Sequence, residues 1–441
     1  MNFTAIEKRL PVLSLAGFAL GLTVAKFLPD FSRFFFDSVT RFVDAYRLVA
    51  PVVLYCVLAV SLARFRQSGK NSGMRFAVRA VLWLLLARIL ALLFAVVFTG
   101  LVFRLPMVLV EQGSKSLSVV ERLARMISAV GMALRGPYFL AAGLALVTGL
   151  LSKKWRRVES VLNACANAIE VWGGAFAILI PFFLFAMGSY VACVSQNLEV
   201  LGGRGGVAMC GKVTILVFSM DVYQTAGIFW IYLAGSLLTG IACLLWHTGL
   251  LACCKIFRKG FSLSCYVRDY WLGVYPLLWA TASESLATPL NLHLIKKVYP
   301  EISTEIRRFV IGVGSYLNVN GTMLCAVILA ALVAGLLGIP LSWGRLLLCL
   351  PMIFVIGFAV PGIPGELLLF AGPLAWVLHV PASSWNSFVT LYIALQFGLP
   401  DSFRTGNNST DSCALALLIN RMYIPGKPVQ NRPAHGNNFP A

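Results

Sequence analysis

Charge is scarce in this chain, and acid is scarcest of all. Lys, Arg, Asp and Glu make up 12% of the 441 residues, with 17 acids against 36 bases, where soluble globular domains carry about a quarter. So little charge excludes an ordinary soluble surface. The four histidines, His247, His293, His379 and His435, lie far apart, which excludes a sequence-local zinc ligand set. The 11 cysteines are scattered, with one adjacent pair (Cys253, Cys254) and no C-x-x-C. They read as small apolar fillers, not as a disulfide framework or a metal knuckle. No Ser-His-Asp or Cys-His set is assembled, so an intramembrane hydrolase lacks its nucleophile and base; the chain does not read as an enzyme and calls for no cofactor beyond a coupling ion.

Apolar sequence is what the chain has in abundance. Hydrophobic residues are 59% of the total and the mean hydropathy is +0.83. A helix needs about 20 apolar residues to cross a hydrocarbon core of about 30 Å, and by that rule the first half holds six plain spans, at about 10–28, 47–64, 76–103, 129–151, 165–194 and 225–254. The first follows only Lys8 and Arg9 and has no small-residue cleavage site, so it reads as a retained helix and not as a signal peptide. From Tyr270 to Ile419 the sequence stays apolar but is repeatedly interrupted by Pro, Gly, Ser and Asn.

The net charge of +19 is not pooled in a domain or arm, which excludes a nucleic-acid partner. Basic residues punctuate alternate loops instead: Arg64, Arg66, Lys70, Arg75 and Arg79; then Lys153, Lys154, Arg156 and Arg157; then Lys255, Arg258 and Lys259. Cytoplasmic loops carry such an excess, which places the N-terminus, these loops and the tail with Arg421, Lys427 and Arg432 on the cytoplasmic side of a cell (inner) membrane. Arg88 and Arg135 interrupt otherwise apolar spans, to pair with an acid in the bundle or to snorkel toward an interface. Residues 196–215, including Leu201-Gly-Gly-Arg-Gly-Gly206, lack the closing Lys-Ser/Thr of a phosphate loop and read as a flexible outer connection.

The second half repeats a plan. An interrupted segment from Pro276 to Pro289 precedes a long helix carrying Asn318-Val-Asn-Gly-Thr322. A second interrupted segment, Pro351 to Gly365, precedes a helix on which Asp401, Arg404, Thr405, Asn408 and Asp411 share one face, at offsets of 3, 4, 7 and 10 residues. A charged stripe at membrane depth faces a protein interior or a water cavity and handles a solute. Paired interrupted segments in two repeats point to a transporter site at the midplane, because broken backbone is tolerated only where it lines such a place.

Four motifs, in order, make residues of about 165–423 resemble the dicarboxylate/amino acid:cation symporters, a family that includes glutamate and aspartate transporters. Ser283-Glu-Ser-Leu-Ala-Thr288 is similar to the serine-rich tip of the family's first re-entrant hairpin, with Glu284 where a serine is usual. Asn318-Val-Asn-Gly-Thr322 resembles the Asn-Met-Asp-Gly-Thr break, with Asn320 in place of the acid. Gly362-Ile363-Pro364-Gly365 resembles the tip of the second hairpin, the extracellular gate. Asp401-Ser-Phe-Arg-Thr-Gly-Asn-Asn408 resembles the substrate motif Asp-x-x-Arg-Thr-x-x-Asn; beyond it the family's cation-binding acid falls at Ser412, with Asp411 one residue early. The run Asn-Ser-Thr-Asp that follows also resembles the serine/threonine-transporting branch, which lacks the Arg.

The resemblance implies an all-α integral membrane fold of eight transmembrane helices and two re-entrant hairpins in inverted repeats. It implies a homotrimer in lipid, with an elevator-like transport unit. The expected organisation is helices one to five over 1–194, mainly scaffold, with the span at 76–103 joining the transport unit; an outer loop and the start of the sixth helix over 195–224; the sixth helix over 225–260; the transport core over 261–423; and a cytoplasmic tail over 424–441. The implied activity is import of glutamate or aspartate with Na⁺ or H⁺, the alternatives being a C4-dicarboxylate or a neutral amino acid such as serine or threonine. Arg404 would grip the side-chain carboxylate in its planar fork and Asp401 the amino group. Thr405, Asn408, Thr322, Ser283, Ser285 and the second tip, Gly362, Ile363, Pro364 and Gly365, complete the substrate set. Gly314, Asn318, Asn320, Asn408 and Asp411 are the Na⁺ candidates. Asn320 and the single hydroxyl Thr99 in the span at 76–103 leave one cation site weakened or absent, and Glu284 or Glu366 is then available as a proton carrier.

Overall fold

The computed structural model describes residues 3–28, 72–107, 212–215, 218–221, 227–258, 260–358, 367–396 and 398–423, with isolated positions between 30 and 189. The expected spans at 47–64, 129–151 and 165–194, the glycine-rich run 201–206, the second tip with Gly362, Ile363, Pro364, Gly365 and Glu366, and the tail beyond 423 lie largely or wholly outside the described residues.

The three longest apolar stretches among the described residues are 76–102, 230–257 and 304–336. Helix α1 is Phe3–Phe27 and α2 is Ser72–Val102. Within α2, Phe76–Val102 is 27 residues of mean hydropathy 2.7, about 40 Å at 1.5 Å per residue and so longer than the hydrocarbon core of about 30 Å. Helix α3, Gly227–Phe257, contains 28 residues of mean hydropathy 1.8. Both leave an apolar stripe uncovered, Leu82, Leu86, Ile89, Leu93 and Val97 on α2 and Leu237, Ile241 and Leu244 on α3. Helical spacing puts each set on one face, as in helices that meet lipid. These are the apolar helices of a membrane protein.

Downstream the helices are short or broken. α4 (Leu272–Thr281) and α5 (Glu284–Val298) form a hairpin. At 10 and 15 residues they run about 15 and 22 Å, too short to cross. The interruption falls between the two prolines the sequence pointed to. Pro276 and Pro289 lie inside helices, and the chain turns at Ala282, which takes φ 45°, before Ser283 caps α5 by accepting from the Leu286 N–H. α6 (Thr304–Leu317) and α7 (Asn320–Leu336) are one 33-residue apolar stretch interrupted at Asn318 and Val319. α8 (Trp343–Ile356) and α9 (Leu368–Val377) flank the second tip; α10 is Trp385–Gln396 and α11 is Leu399–Tyr423.

The all-α expectation needs one addition. Lys212–Ile215 and Phe218–Asp221 pair as an antiparallel hairpin, β1 and β2, in register Lys212 to Asp221, with β1 against α7 and β2 against α3. The run Lys-Val-Thr-Ile and the Phe beyond it suit a strand, although residues 212–215 had read as part of the flexible connection.

Helix α11 is the hub, packed against α3, α4, α6 and α7. Two apolar clusters flank its polar part. One gathers Leu277, Leu286, Ile295, Val310 and Leu417; the other gathers Met323, Leu329, Phe370, Leu374 and Tyr392. α2 is joined to this assembly at three heights: the Phe76 ring meets Phe309 of α6, Arg88 lies over the Phe354 and Phe358 rings and donates to the Phe354 carbonyl, and Gly100 lies against Trp343 of α8. Arg88 thus satisfies part of its donor fork on a carbonyl in the last turn of α8 and on aromatic faces.

Candidate functional site

The five polar residues on one face of α11 are all buried, and the elements around them explain how. Arg404 pairs with Asp401 one turn earlier and extends past it, donating from Nη1 to Thr322 Oγ1 at 3.1 Å. Asn408 is held at both ends of its amide. Its Oδ1 accepts from the backbone N–H groups of Gly321 (2.6 Å) and Thr322 (3.3 Å), and its Nδ2 donates to Thr322 Oγ1 (2.9 Å) and Glu284 Oε1 (2.8 Å). The first turn of α7 and the start of α5 therefore converge on α11. A Cβ at Gly321 would land on the Arg404 carbonyl oxygen, so only glycine lets the break approach this closely.

The cation candidates form an adjoining layer. Asn318 donates from Nδ2 to the Asn408 carbonyl (2.8 Å) and to Ser412 Oγ (2.9 Å), and Gly314 presses on that same Ser412 hydroxyl while its own carbonyl caps Asn318. Asn318 Oδ1, Asn320 Oδ1 and Thr99 Oγ1 are buried without a hydrogen bond among the described residues. Hard oxygens in that condition suit a small cation.

Asp411 is placed differently. Its carboxylate accepts from Trp246 Nε1 (2.7 Å), Asn320 Nδ2 (2.9 Å) and Asn407 Nδ2 (3.1 Å), and its Oδ1 lies 2.7 Å from His247 Nδ1. Nitrogen groups line both oxygens, a surrounding that suits an anion and opposes a metal ion. The His247 Nε2 meets the Tyr266 hydroxyl at 3.0 Å, and that hydroxyl also reaches the Thr410 carbonyl. Trp246, His247 and Tyr266 were not among the residues singled out from the sequence. A Trp-His pair inside the apolar helix α3 was the available signal, since an ionisable residue at membrane depth needs a partner.

Of the remaining candidates, Thr405 is buried with its hydroxyl free of hydrogen bonds among the described residues. Ser283 spends its hydroxyl on the α5 cap, and the Ser285 side chain lies outside the described residues. No cluster of three or more His, Cys, Asp or Glu suited to a metal occurs among the described residues.

Residues 231–422, which carry the buried Arg-Asp pair, the broken helix and the short helical hairpin, match the model of the sodium:dicarboxylate symporter family. Symporters are transporters and not enzymes. One curated relative is the serine/threonine transporter of Acinetobacter baylyi, 20% identical over 417 residues, which are 91% of this chain and 94% of the relative.

Proposed function

We propose that the protein is a secondary active symporter that imports an amino acid together with Na⁺ or H⁺. The observation that carries this is the convergence of Arg404, Asp401, Asn408 and Thr322 at a helix break, since carboxylate-gripping and ammonium-holding groups meet within hydrogen-bond reach of one another. A planar guanidinium at that point favours glutamate or aspartate. A specific observation favours the second reading, a neutral amino acid: Asp401 already engages the Arg404 fork, and the Acinetobacter relative is a serine/threonine transporter. The family is named for sodium coupling, and the hard oxygens of Asn318 and Asn320 support Na⁺. The protein sits as a multi-pass homotrimer in the cell membrane with both termini cytoplasmic, its C-terminal half moving like an elevator against a scaffold from the first half.

The test is uptake of labelled glutamate, aspartate and serine into proteoliposomes under a Na⁺ gradient and under a proton gradient, with Arg404→Ala alongside. Concentrative uptake under one gradient names the coupling ion. Loss of acidic but not serine uptake in Arg404→Ala assigns the acidic substrate to Arg404, and uptake competed by succinate alone would move the reading to a dicarboxylate carrier.

A further inference from the structure

Asp411 stands among the cation candidates, yet its surroundings give it a different task. It is wholly buried, and its two oxygens meet four nitrogen groups: Trp246 Nε1, Asn320 Nδ2 and Asn407 Nδ2 on Oδ2, and His247 Nδ1 on Oδ1. A carboxylate offers about four lone-pair sites. To take a cation, Asp411 would first have to shed some of these partners. On the far side the His247 ring is itself held, its Nε2 meeting the Tyr266 hydroxyl, which reaches the Thr410 carbonyl.

What the carboxylate does instead is settle how Asn320 is turned. A side-chain amide has one donating and one accepting end, and the donating end of Asn320 lies 2.9 Å from Asp411 Oδ2. Turned about, the amide would set oxygen against oxygen. The accepting end, Oδ1, is thereby directed away from Asp411, where it is buried and has no hydrogen bond among the described residues. Asn318, at the start of the same break between α6 and α7, is in the same condition. Its Nδ2 is committed to the Asn408 carbonyl and Ser412 Oγ, and its Oδ1 is buried without a hydrogen bond. Buried amide oxygens are seldom left without a partner, and a small hard cation is a partner suited to both.

We propose that Asp411 is a positioning residue: it does not ligate the coupling cation but holds the Asn320 amide so that Asn320 Oδ1, with Asn318 Oδ1, is presented to Na⁺. This rests on the Na⁺ form of the symport reading and deepens it.

The experiment titrates the full-length protein in detergent with NaCl calorimetrically, choline chloride serving as the control, for wild type, Asn320→Ala, Asp411→Ala and the double variant. Asp411→Ala is expected to weaken Na⁺ binding by about tenfold, as outer partners of metal ligands do. In the Asn320→Ala background the same change is expected to cost less than about twofold, because a residue that acts through another has nothing left to position. Equal losses in the two backgrounds overturn the proposal. Should a variant fail to fold or bind no Na⁺, anomalous scattering from wild-type crystals soaked in a Tl⁺ salt decides it. A peak touching Asn318 Oδ1 and Asn320 Oδ1 but neither Asp411 oxygen is expected, and a peak on the Asp411 carboxylate overturns the proposal. A wild type that binds neither Na⁺ nor Tl⁺ also overturns it, while proton-driven amino acid uptake by that protein would leave symport standing. The expected Na⁺ losses without amino acid uptake into proteoliposomes under either gradient would overturn the symport reading alone.

Discussion

At the scale of single residues, Asp411 is a densely bonded acid of α11. Four nitrogen groups from three helices converge on it, so the cost of losing it exceeds that of losing any one partner. A buried donor left unsatisfied costs about 1–3 kcal/mol. Asp411→Ala, which strands several donors at once, is expected to lower the melting temperature in detergent well beyond His247→Phe, which removes one. Equal losses in the two variants would show that the carboxylate does not anchor this layer. The sequence made Asp401, Arg404 and Asn408 legible because their spacing is helical and local. It could not announce the partners of Asp411, since His247 lies 164 positions away and nothing local couples the two.

At the scale of elements, the caps decide where the broken helices start. Ser283 begins α5 and Ser303 begins α6, each accepting from an N–H three residues on, and loss of either cap costs about 1 kcal/mol. Their positions differ. Ser283 adjoins Glu284 and the substrate candidates, whereas Ser303 adjoins Asn420 near the far end of α11. Ser283→Ala and Ser303→Ala are therefore expected to lower thermal stability alike, while only Ser283→Ala raises the KM for amino acid uptake; a matching KM in both would assign Ser283 a structural part alone. The existence of a first hairpin was readable from its composition, but the location of its turn was not. The prolines drew attention, yet helices accept them where neighbours compensate for the missing N–H, and the turn was taken by an alanine with a left-handed backbone. The strand pair at 212–221 escaped notice because the glycine-rich run before it dominated the composition.

At the scale of the whole molecule, the placement of positive charge predicts orientation. An epitope inserted after Lys154 is expected to bind antibody only in permeabilised cells, and one inserted after Gly205 in intact cells as well; the reverse pattern would invert the topology. The break between α6 and α7 was legible at this scale too, as a polar interruption within a stretch otherwise fit to span, and it is what brings Thr322 and Gly321 to α11.

The three fastenings of α2 carry one more consequence. Phe76, Arg88 and Gly100 tie it to α6 and α8 along most of its length, although between residues 107 and 227 much of the chain separates it from the helices it holds. Peeling α2 away would strip a guanidinium of its carbonyl and aromatic cover in an apolar surrounding. Order along the polypeptide and place in the packed body therefore diverge: synthesised among the early helices, α2 is a late recruit to the body built by the C-terminal half, and it joins that body only after residues more than 200 positions downstream have been made.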